Sequence, residues 1–220
     1  MKWFCKYASS SIGRKQIMAK TGLMLSLFLI VHLAGNMLLF KGPEAFNAYA
    51  HALTSNKPVL YFAELILIGI FGTHIFLAIK LTLENRAARG GVPYLVNAQA
   101  GEMTIATKTM PISGMWTLIF LILHLANFKY ADHVILEGGI HDVYAVVKAH
   151  FENPFWAIYY IVSMAILSGH VWHGLQSALQ TFGLNHPRHN DMIKSVSALY
   201  AVIIFVGFSS FPVYFFISKG

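Results

Sequence analysis

Cysteine and charged residues are scarce in this chain. A single cysteine, Cys5, stands among 220 residues, and 11% of the residues are charged, against about 25% in ordinary soluble domains. One cysteine excludes an internal disulfide and any iron–sulfur cluster held by several thiolates of this chain. The low charge excludes an ordinary soluble domain, and the 56% hydrophobic content indicates burial in lipid.

The apolar residues form five long runs with few charges. These runs are Thr21–Phe40, Val59–Ile79, Ile112–Phe128, Phe155–Leu179 and Val196–Ile217. Each is close to the roughly 20 residues that cross the hydrocarbon core of a bilayer. The first run starts too late and is too long for a cleavable signal peptide. The sequence predicts an all-α polytopic membrane protein, one membrane domain over 1–220 with helices at about 21–40, 59–80, 111–128, 154–180 and 195–217.

Positive charge is concentrated in three parts of the chain. Lysine and arginine gather in residues 1–20, between the second and third runs, and between the fourth and fifth. The positive-inside rule makes these parts cytoplasmic, so the N-terminus is cytoplasmic and the C-terminus lies outside. The formal net charge of +7 then reflects topology, and we expect no nucleic-acid partner. Residues 1–20 either only fix this topology or also dock a soluble partner or meet cofactor carboxylates.

Histidines stand inside four of the predicted helices, where an ionisable ring is costly and usually marks function. They are His32, His74, His124, His170 and His173. His32 follows Lys20 by 12 residues, and His124 follows Pro111 by 13. At 1.5 Å per residue, both rings lie in the outer half of the membrane.

The histidines of the second and fourth predicted helices share another depth. His74 follows Pro58 by 16 residues, and His170 follows Pro154 by 16, so both lie in the inner half. The sequence therefore places two histidines from different helices at each of two levels. His173 lies three residues beyond His170 and would be equally attractive without this pairing. We assign His170 as the ligand and expect His173 near a haem propionate, a quinone or a partner subunit.

Two histidines at one depth on separate helices are typical of bis-imidazole ligation of a haem. A zinc site would need three or four ligands at one point. The alternative is that the rings only form hydrogen bonds between helices. Small residues near the histidines leave room for a flat macrocycle: Gly35, Gly72, Gly169 and Ser168.

Glu64, in the outer third of the second predicted helix, is the acidic residue inside a span. A carboxyl group at this depth suits proton exchange with a quinone. It could equally be hydrogen-bonded between helices as a packing residue. Possible neighbours are Asn36, Tyr49 and His51.

The remaining parts of the chain complete the prediction. Short interfacial helices are expected within 41–57 and 129–153, both outside, and 82–110 is expected to be a cytoplasmic loop. Gly183 is a candidate helix C-cap. The fifth helix, without ionisable groups, is expected to close the bundle. A weak internal repeat pairs IVHLAGN with ILHLANF, which makes helices one and two resemble helices three and four.

Several stretches, taken in order, resemble the dihaem cytochrome b membrane anchor of succinate dehydrogenase and fumarate reductase, in its five-helix single-subunit form. They are FLIVHLAGN, GPEAFNAYAH, the spacing from His32 to His74, and His170 followed by Gly174 and Gly183. The resemblance covers nearly the whole chain. The glycine four residues after the family's fourth-helix ligand selects His170 over His173.

The resemblance implies two b haems, one held by His74 and His170 near the cytoplasm and one by His32 and His124 near the outside. It implies a flavoprotein subunit and an iron–sulfur subunit on the cytoplasmic face, and electron exchange with a quinone, typically menaquinone. The dicarboxylate chemistry would belong to the flavoprotein. The location would be a prokaryotic cytoplasmic (inner) membrane, with membrane lipid around the helices.

Two other classes of function remain open from the residues alone. Intramembrane histidines could serve as relays in a proton channel or secondary transporter. The chain could also be a haem-free membrane anchor. A transporter would show polar residues along one path and broken helices, whereas these runs hold few other ionisable groups.

Overall fold

The computed structural model describes residues 2–88, 105–132, 134–184 and 186–218, without the side chains of 2, 4, 5 and 105–108. Eight α-helices account for most of them. They are α1 (Lys2–Ser9), α2 (Ser11–Asn36), α3 (Pro43–Ser55), α4 (Lys57–Ala88), α5 (Ile105–His124), α6 (Val143–Glu152), α7 (Pro154–Thr181) and α8 (Pro187–Ile217). Within the predicted 82–110 loop, residues 89–104 lie outside the described residues.

Helices α2, α4, α5, α7 and α8 are long and apolar enough to cross a membrane. The prediction of an all-α multi-pass protein with five membrane helices is confirmed. The helices are longer than the apolar runs because helical hydrogen bonding continues into polar flanks that hydropathy does not count. At the start of α2, for example, the Ser10 hydroxyl accepts a hydrogen bond from the Gly13 amide at 3.0 Å.

The third membrane helix begins earlier than its proline suggests. The sequence placed the start near Pro111, whereas α5 begins at Ile105 and carries Pro111 in its interior. A proline removes one backbone donor, and a membrane helix tolerates that loss where neighbouring groups satisfy the freed carbonyl. At its other end α5 continues into a π-helical turn at Leu125–Lys129.

Helix α7 has a clear start and stop. The Asn153 side chain accepts a hydrogen bond from the Phe155 amide at 2.9 Å, and Pro154 occupies the first turn. After Thr181 the chain turns at Gly183, whose φ of +85° lies in the left-handed region. The C-cap residue is Phe182, and the predicted glycine, Gly183, is the left-handed residue directly after it.

Four of the membrane helices form a square core. Helix α2 packs against α4 and α7, and α5 packs against α7, whereas α4 and α5 barely touch. This order puts α2 diagonally across from α5, and α4 diagonally across from α7. Helix α8 packs mainly on α7 and closes the bundle from outside the square, as predicted, with Ile204 and Phe215 fully buried.

Two short helices, α3 and α6, form a layer at one end of the bundle. The buried Asn47 amide donates to the Asp142 carboxylate at 2.8 Å, and Asn47 Oδ1 accepts from the Tyr144 amide at 2.9 Å. The interfacial helices predicted within 41–57 and 129–153 are thus present as α3 and α6.

Candidate functional site

His32 and His124 face each other across one diagonal of the core. His32 is on α2 and His124 ends α5, and their ring centroids are 5.9 Å apart with the ring planes nearly perpendicular, at 89°. Two imidazoles on opposite sides of one metal ion have centres about 6 Å apart, since metal–nitrogen bonds are about 2.0–2.1 Å. The buried Nδ1 of His124 has no hydrogen-bond partner among the described residues. The separation fits the two imidazole ligands that one haem iron would need.

The same two rings have matching aromatic neighbours. Phe28, one turn before His32, stacks on it at 5.4 Å and 14°, and Phe120 stacks on His124 at 5.6 Å and 29°. The Asn36 amide nitrogen lies 3.5 Å from both ring nitrogens of His32 and donates to the His32 carbonyl at 2.7 Å. The outer pair therefore lies among apolar rings, with one amide nearby.

His74 and His170 occupy the other diagonal, on α4 and α7. Each ring contacts a hydroxyl group of a neighbouring helix through Nδ1. Thr21 Oγ1 lies 3.2 Å from His74 Nδ1, and Ser113 Oγ lies 3.0 Å from His170 Nδ1. The structure thus places His32 opposite His124, and it places His74 and His170 at corresponding points of the other diagonal.

Glycines let these two rings approach the backbone. A Cβ atom at Gly22 would lie 3.4 Å from His74 Cε1, and one at Gly114 would lie 3.4 Å from His170 Cε1. Each glycine directly follows the hydroxyl residue that contacts the same ring. Sequence reasoning missed all four of these residues.

A signal for them was present in the internal repeat. The 92-residue offset that relates His32 to His124 also relates Phe28 to Phe120 and the Thr21–Gly22 pair to the Ser113–Gly114 pair. The repeated histidine motif extends backwards by 11 residues in both copies. Extending the comparison of the two repeat copies by three helical turns before the histidine would have found the hydroxyl residue and the glycine in both.

The two histidine pairs lie at two depths. Thr21 marks the depth of His74 and lies 11 residues before His32 on α2, and Ser113 stands in the same relation to His124 on α5. Eleven helical residues span about 16 Å. With the N-terminus on the cytoplasmic side, as the charges predict, His74 and His170 form the inner level and His32 and His124 the outer level.

Space beside the inner level supports the same interpretation. A cavity of about 320 Å³ opens between α5 and α7, and Ser113, Trp116, Gly169 and His170 are among the residues that line it. Cβ atoms at Gly72 and Gly169 would meet nothing within 4 Å. The Oγ of Ser168 is buried and has no partner among the described residues.

The role expected for Gly35 is different in the structure. Gly35 does face a flat group, but this group is the Tyr49 phenol ring of α3, which would overlap a Cβ atom there. The sequence could not show this because the two residues belong to different helices. Gly35 therefore serves the packing of α3 on α2.

His173 lies one turn further along α7 than His170. Its ring stacks on the neighbouring Trp172 at 5.7 Å and 11°, and it is only half-buried. The expectation that His173 lies near a haem propionate, a quinone or a partner subunit stays a prediction.

Glu64 has a partner that the sequence did not suggest. Its carboxylate lies 2.6 Å from Lys129 Nζ, at the end of the π-helical turn after His124. None of the predicted neighbours, Asn36, Tyr49 and His51, forms a hydrogen bond with Glu64 within the described part of the chain. The pair links α4 to the end of α5, the two core helices that otherwise barely touch.

A polar cluster near the outer level also escaped sequence reasoning. The Asn127 amide lies 3.2 Å from His150 Nε2 and 3.4 Å from the Tyr160 hydroxyl, and Trp156 packs on His150 at 4.7 Å. Burial lowers the pKa of His150 on α6 to about 4. His150 is therefore neutral at neutral pH and accepts from the amide.

The arrangement of donors suits haem better than a hydrolytic metal ion. Among the described residues there is no group of three or more histidine, cysteine, aspartate or glutamate side chains that could hold a metal ion. The four histidines instead occur in twos, as the two axial positions of a haem require.

Comparison with known proteins gives one informative similarity. The chain is 28% identical over 190 residues to the succinate dehydrogenase cytochrome b558 subunit of Bacillus subtilis (strain 168), which covers 83% of this chain and 84% of that protein. No family model matches the chain. No solved structure matches it. The relative is bacterial, which agrees with a multi-pass protein of a prokaryotic cytoplasmic membrane. The similarity over most of both chains confirms the resemblance drawn from the sequence, which is to the cytochrome b membrane subunits of succinate dehydrogenase.

Proposed function

We propose that this chain is the membrane-anchoring cytochrome b subunit of a succinate dehydrogenase or fumarate reductase complex. It passes electrons between an iron–sulfur subunit and a quinone, menaquinone in the typical case, by means of two b haems. The observation that carries the proposal is the placement of four histidines as two diagonal pairs about 16 Å apart in one helical core.

The chain's own residues would hold the two haems. His74 and His170 would be the axial ligands at the inner level, and His32 and His124 those at the outer level. Bound haem iron supplies a reversible one-electron carrier whose potential depends on ligands, hydrogen bonds and burial. Stacked Phe28 and Phe120 restrict rotation of the outer rings and exclude water from them.

The choice of His170 over His173 rests on ring contacts. His170 is matched by an equivalent histidine, His74, whose Nδ1 also meets a hydroxyl of the preceding core helix. His173 has no such counterpart on α4. We therefore assign His173 to the edge of the inner level, beside a haem propionate, a quinone or the partner surface.

Glu64 remains our candidate for proton exchange at a quinone site near the outer level. Its ion pair with Lys129 is part of the outer end of the core, and both side chains are partly accessible, at 28% and 39%. A carboxylate held by one lysine can still take up a proton delivered by a quinol. The ion pair with Lys129 is also consistent with a purely packing role for Glu64. The substitution Glu64→Gln distinguishes proton exchange from packing.

The expected partner subunits follow from the predicted orientation of the chain in the membrane. The basic cytoplasmic segments would contact an iron–sulfur subunit, which in turn carries a flavoprotein subunit where succinate or fumarate reacts. Purification in mild detergent should recover these larger soluble subunits with succinate or fumarate activity. Recovery of a lone chain that transports a substrate would contradict the proposal.

Single substitutions test the ligand assignment. His74→Ala or His170→Ala should remove the inner haem, and His32→Ala or His124→Ala the outer one, each measured by the haem-to-protein ratio and the reduced spectrum. His189→Ala, in the first turn of α8, is the matched control and should keep both haems. A His170→Ala chain that keeps both haems, with one lost in His173→Ala, would show that the inner ligand is His173.

A further inference from the structure

The hydroxyl groups of Thr21 and Ser113 occupy equivalent places in the two halves of the core. Thr21 lies on α2 and meets Nδ1 of His74 on α4 at 3.2 Å, and Ser113 lies on α5 and meets Nδ1 of His170 on α7 at 3.0 Å. Each hydroxyl residue is followed by a glycine that faces the same ring. Both copies of the repeat carry a hydroxyl group at this position, as threonine in the first copy and as serine in the second.

The hydrogen of each hydroxyl is used within its own helix. Thr21 Oγ1 donates to the carbonyl of Met18 at 2.9 Å, and Ser113 Oγ donates to the carbonyl of Met110 at 3.1 Å. A hydroxyl has one hydrogen and two lone pairs, so the oxygen remains free to accept. With the hydroxyl hydrogen assigned to the carbonyl, the ring nitrogen opposite the oxygen is assigned as the donor, Nδ1–H.

Within the described residues, the His74 ring contacts the Thr21 hydroxyl through Nδ1. Within the described residues, the Ser113 hydroxyl is the hydrogen-bond partner of the His170 ring. Both rings are thus held as the tautomer that carries its hydrogen on Nδ1.

This tautomer leaves Nε2 with a free lone pair. A metal ion binds the unprotonated nitrogen, and an acceptor at the other ring nitrogen fixes ring orientation and makes the ligand more basic. A more basic axial ligand favours the oxidised iron and lowers the reduction potential. A hydroxyl group that accepts from Nδ1–H would therefore affect both the binding of haem iron at Nε2 and the reduction potential of that haem.

We propose that Thr21 and Ser113 are positioning residues for the inner haem, each accepting the Nδ1–H of the axial histidine on the adjacent helix. The inference rests on the proposed function, because it requires His74 and His170 to be ligands. The outer level lacks this device: His32 meets an amide at 3.5 Å, and His124 Nδ1 has no partner among the described residues. The inner haem alone should therefore respond to loss of the hydroxyls.

The test uses the full chain in its purified complex, with each haem followed by redox titration and by its low-spin EPR signal. Thr21→Val keeps the side-chain shape and Ser113→Ala removes only one oxygen. Each should shift the inner haem to a higher potential and alter its EPR signal, with the outer haem unchanged. The double variant should lose a large part of its inner haem.

Two hydroxyls on the same helices serve as matched controls. Ser26 Oγ donates to the Gly22 carbonyl at 2.9 Å, and Thr117 Oγ1 donates to the Ser113 carbonyl at 2.8 Å. Neither hydroxyl forms a hydrogen bond with a histidine of the described part of the chain. Ser26→Ala and Thr117→Val should leave both haems as in the wild type. The conservative variants Thr21→Ser and Ser113→Thr keep the hydroxyl and should restore the wild-type inner potential.

The outcomes separate this inference from the proposed function. If the wild type holds two haems and Thr21→Val and Ser113→Ala match Ser26→Ala and Thr117→Val in inner potential and EPR signal, the positioning role is refuted and the ligand assignment stands. A shift confined to the outer haem would also refute it. A wild-type chain without haem would overturn both proposals.

Discussion

Gly35→Ala tests the packing of α3 against α2, and its cost can be worked from the structure. A Cβ atom at Gly35 would lie 2.7 Å from Tyr49 Cζ and 2.9 Å from Tyr49 Cε1, and would overlap the hydroxyl. Overpacking of this kind costs about 1–3 kcal/mol. Alanine gains roughly 0.8–1 kcal/mol over glycine in a helix interior. The net loss in the wild-type background is therefore about 0–2 kcal/mol.

A double-mutant cycle isolates the clash from the helix propensity. In a Tyr49→Ala background the added methyl group has room, so Gly35→Ala should stabilise the chain by up to about 1 kcal/mol. The coupling energy between the two positions should then be about 1–3 kcal/mol, which is roughly 5- to 150-fold in the unfolding equilibrium constant.

The assay is equilibrium unfolding of the detergent-solubilised chain by a denaturing detergent, followed by tryptophan fluorescence. Gly69→Ala is the matched control, because a Cβ atom there meets nothing within 4 Å and only the propensity gain applies. Additive effects of Gly35→Ala and Tyr49→Ala, within about 0.3–0.5 kcal/mol, would refute the contact between α2 and α3.

Two further predictions concern the outer end of the core. Glu64→Gln should slow quinone turnover and leave both haem spectra and activity with soluble acceptors intact, whereas wild-type quinone turnover would make Glu64 a packing partner of Lys129. Burial lowers the pKa of His150 to about 4 from about 6.5 in the unfolded chain, so the unfolded state binds more protons and stability should fall as pH drops from about 6.5 to 4. His150→Gln should flatten that dependence in unfolding curves at several pH values, and an unchanged slope would contradict the burial of the ring.

The periodic features of the chain were predictable from its sequence. Five apolar runs specify five membrane helices because the bilayer demands length and hydrophobicity from each segment alone. The pairing of His32 with His124 and of His74 with His170 followed from equal depth, which is a count along single helices. These properties need no knowledge of which helix neighbours which.

The contacts between helices were not predictable in this way. The Thr21 hydroxyl at His74, the Tyr49 ring at Gly35 and the Lys129 ammonium at Glu64 each depend on the rotation and crossing of two helices. The start of α5 at Ile105 places Pro111 inside the helix, although proline favours the first turn. Residue spacing along one segment carries no information on such contacts.

The haem content of the purified chain tests the central claim most directly. The reduced pyridine derivative of the extracted haem, quantified against protein determined by amino-acid analysis, gives the number of b haems per chain. Two histidine pairs at two depths predict two b haems per wild-type chain and one in each of His170→Ala and His124→Ala. A wild-type value of one or none would contradict the account.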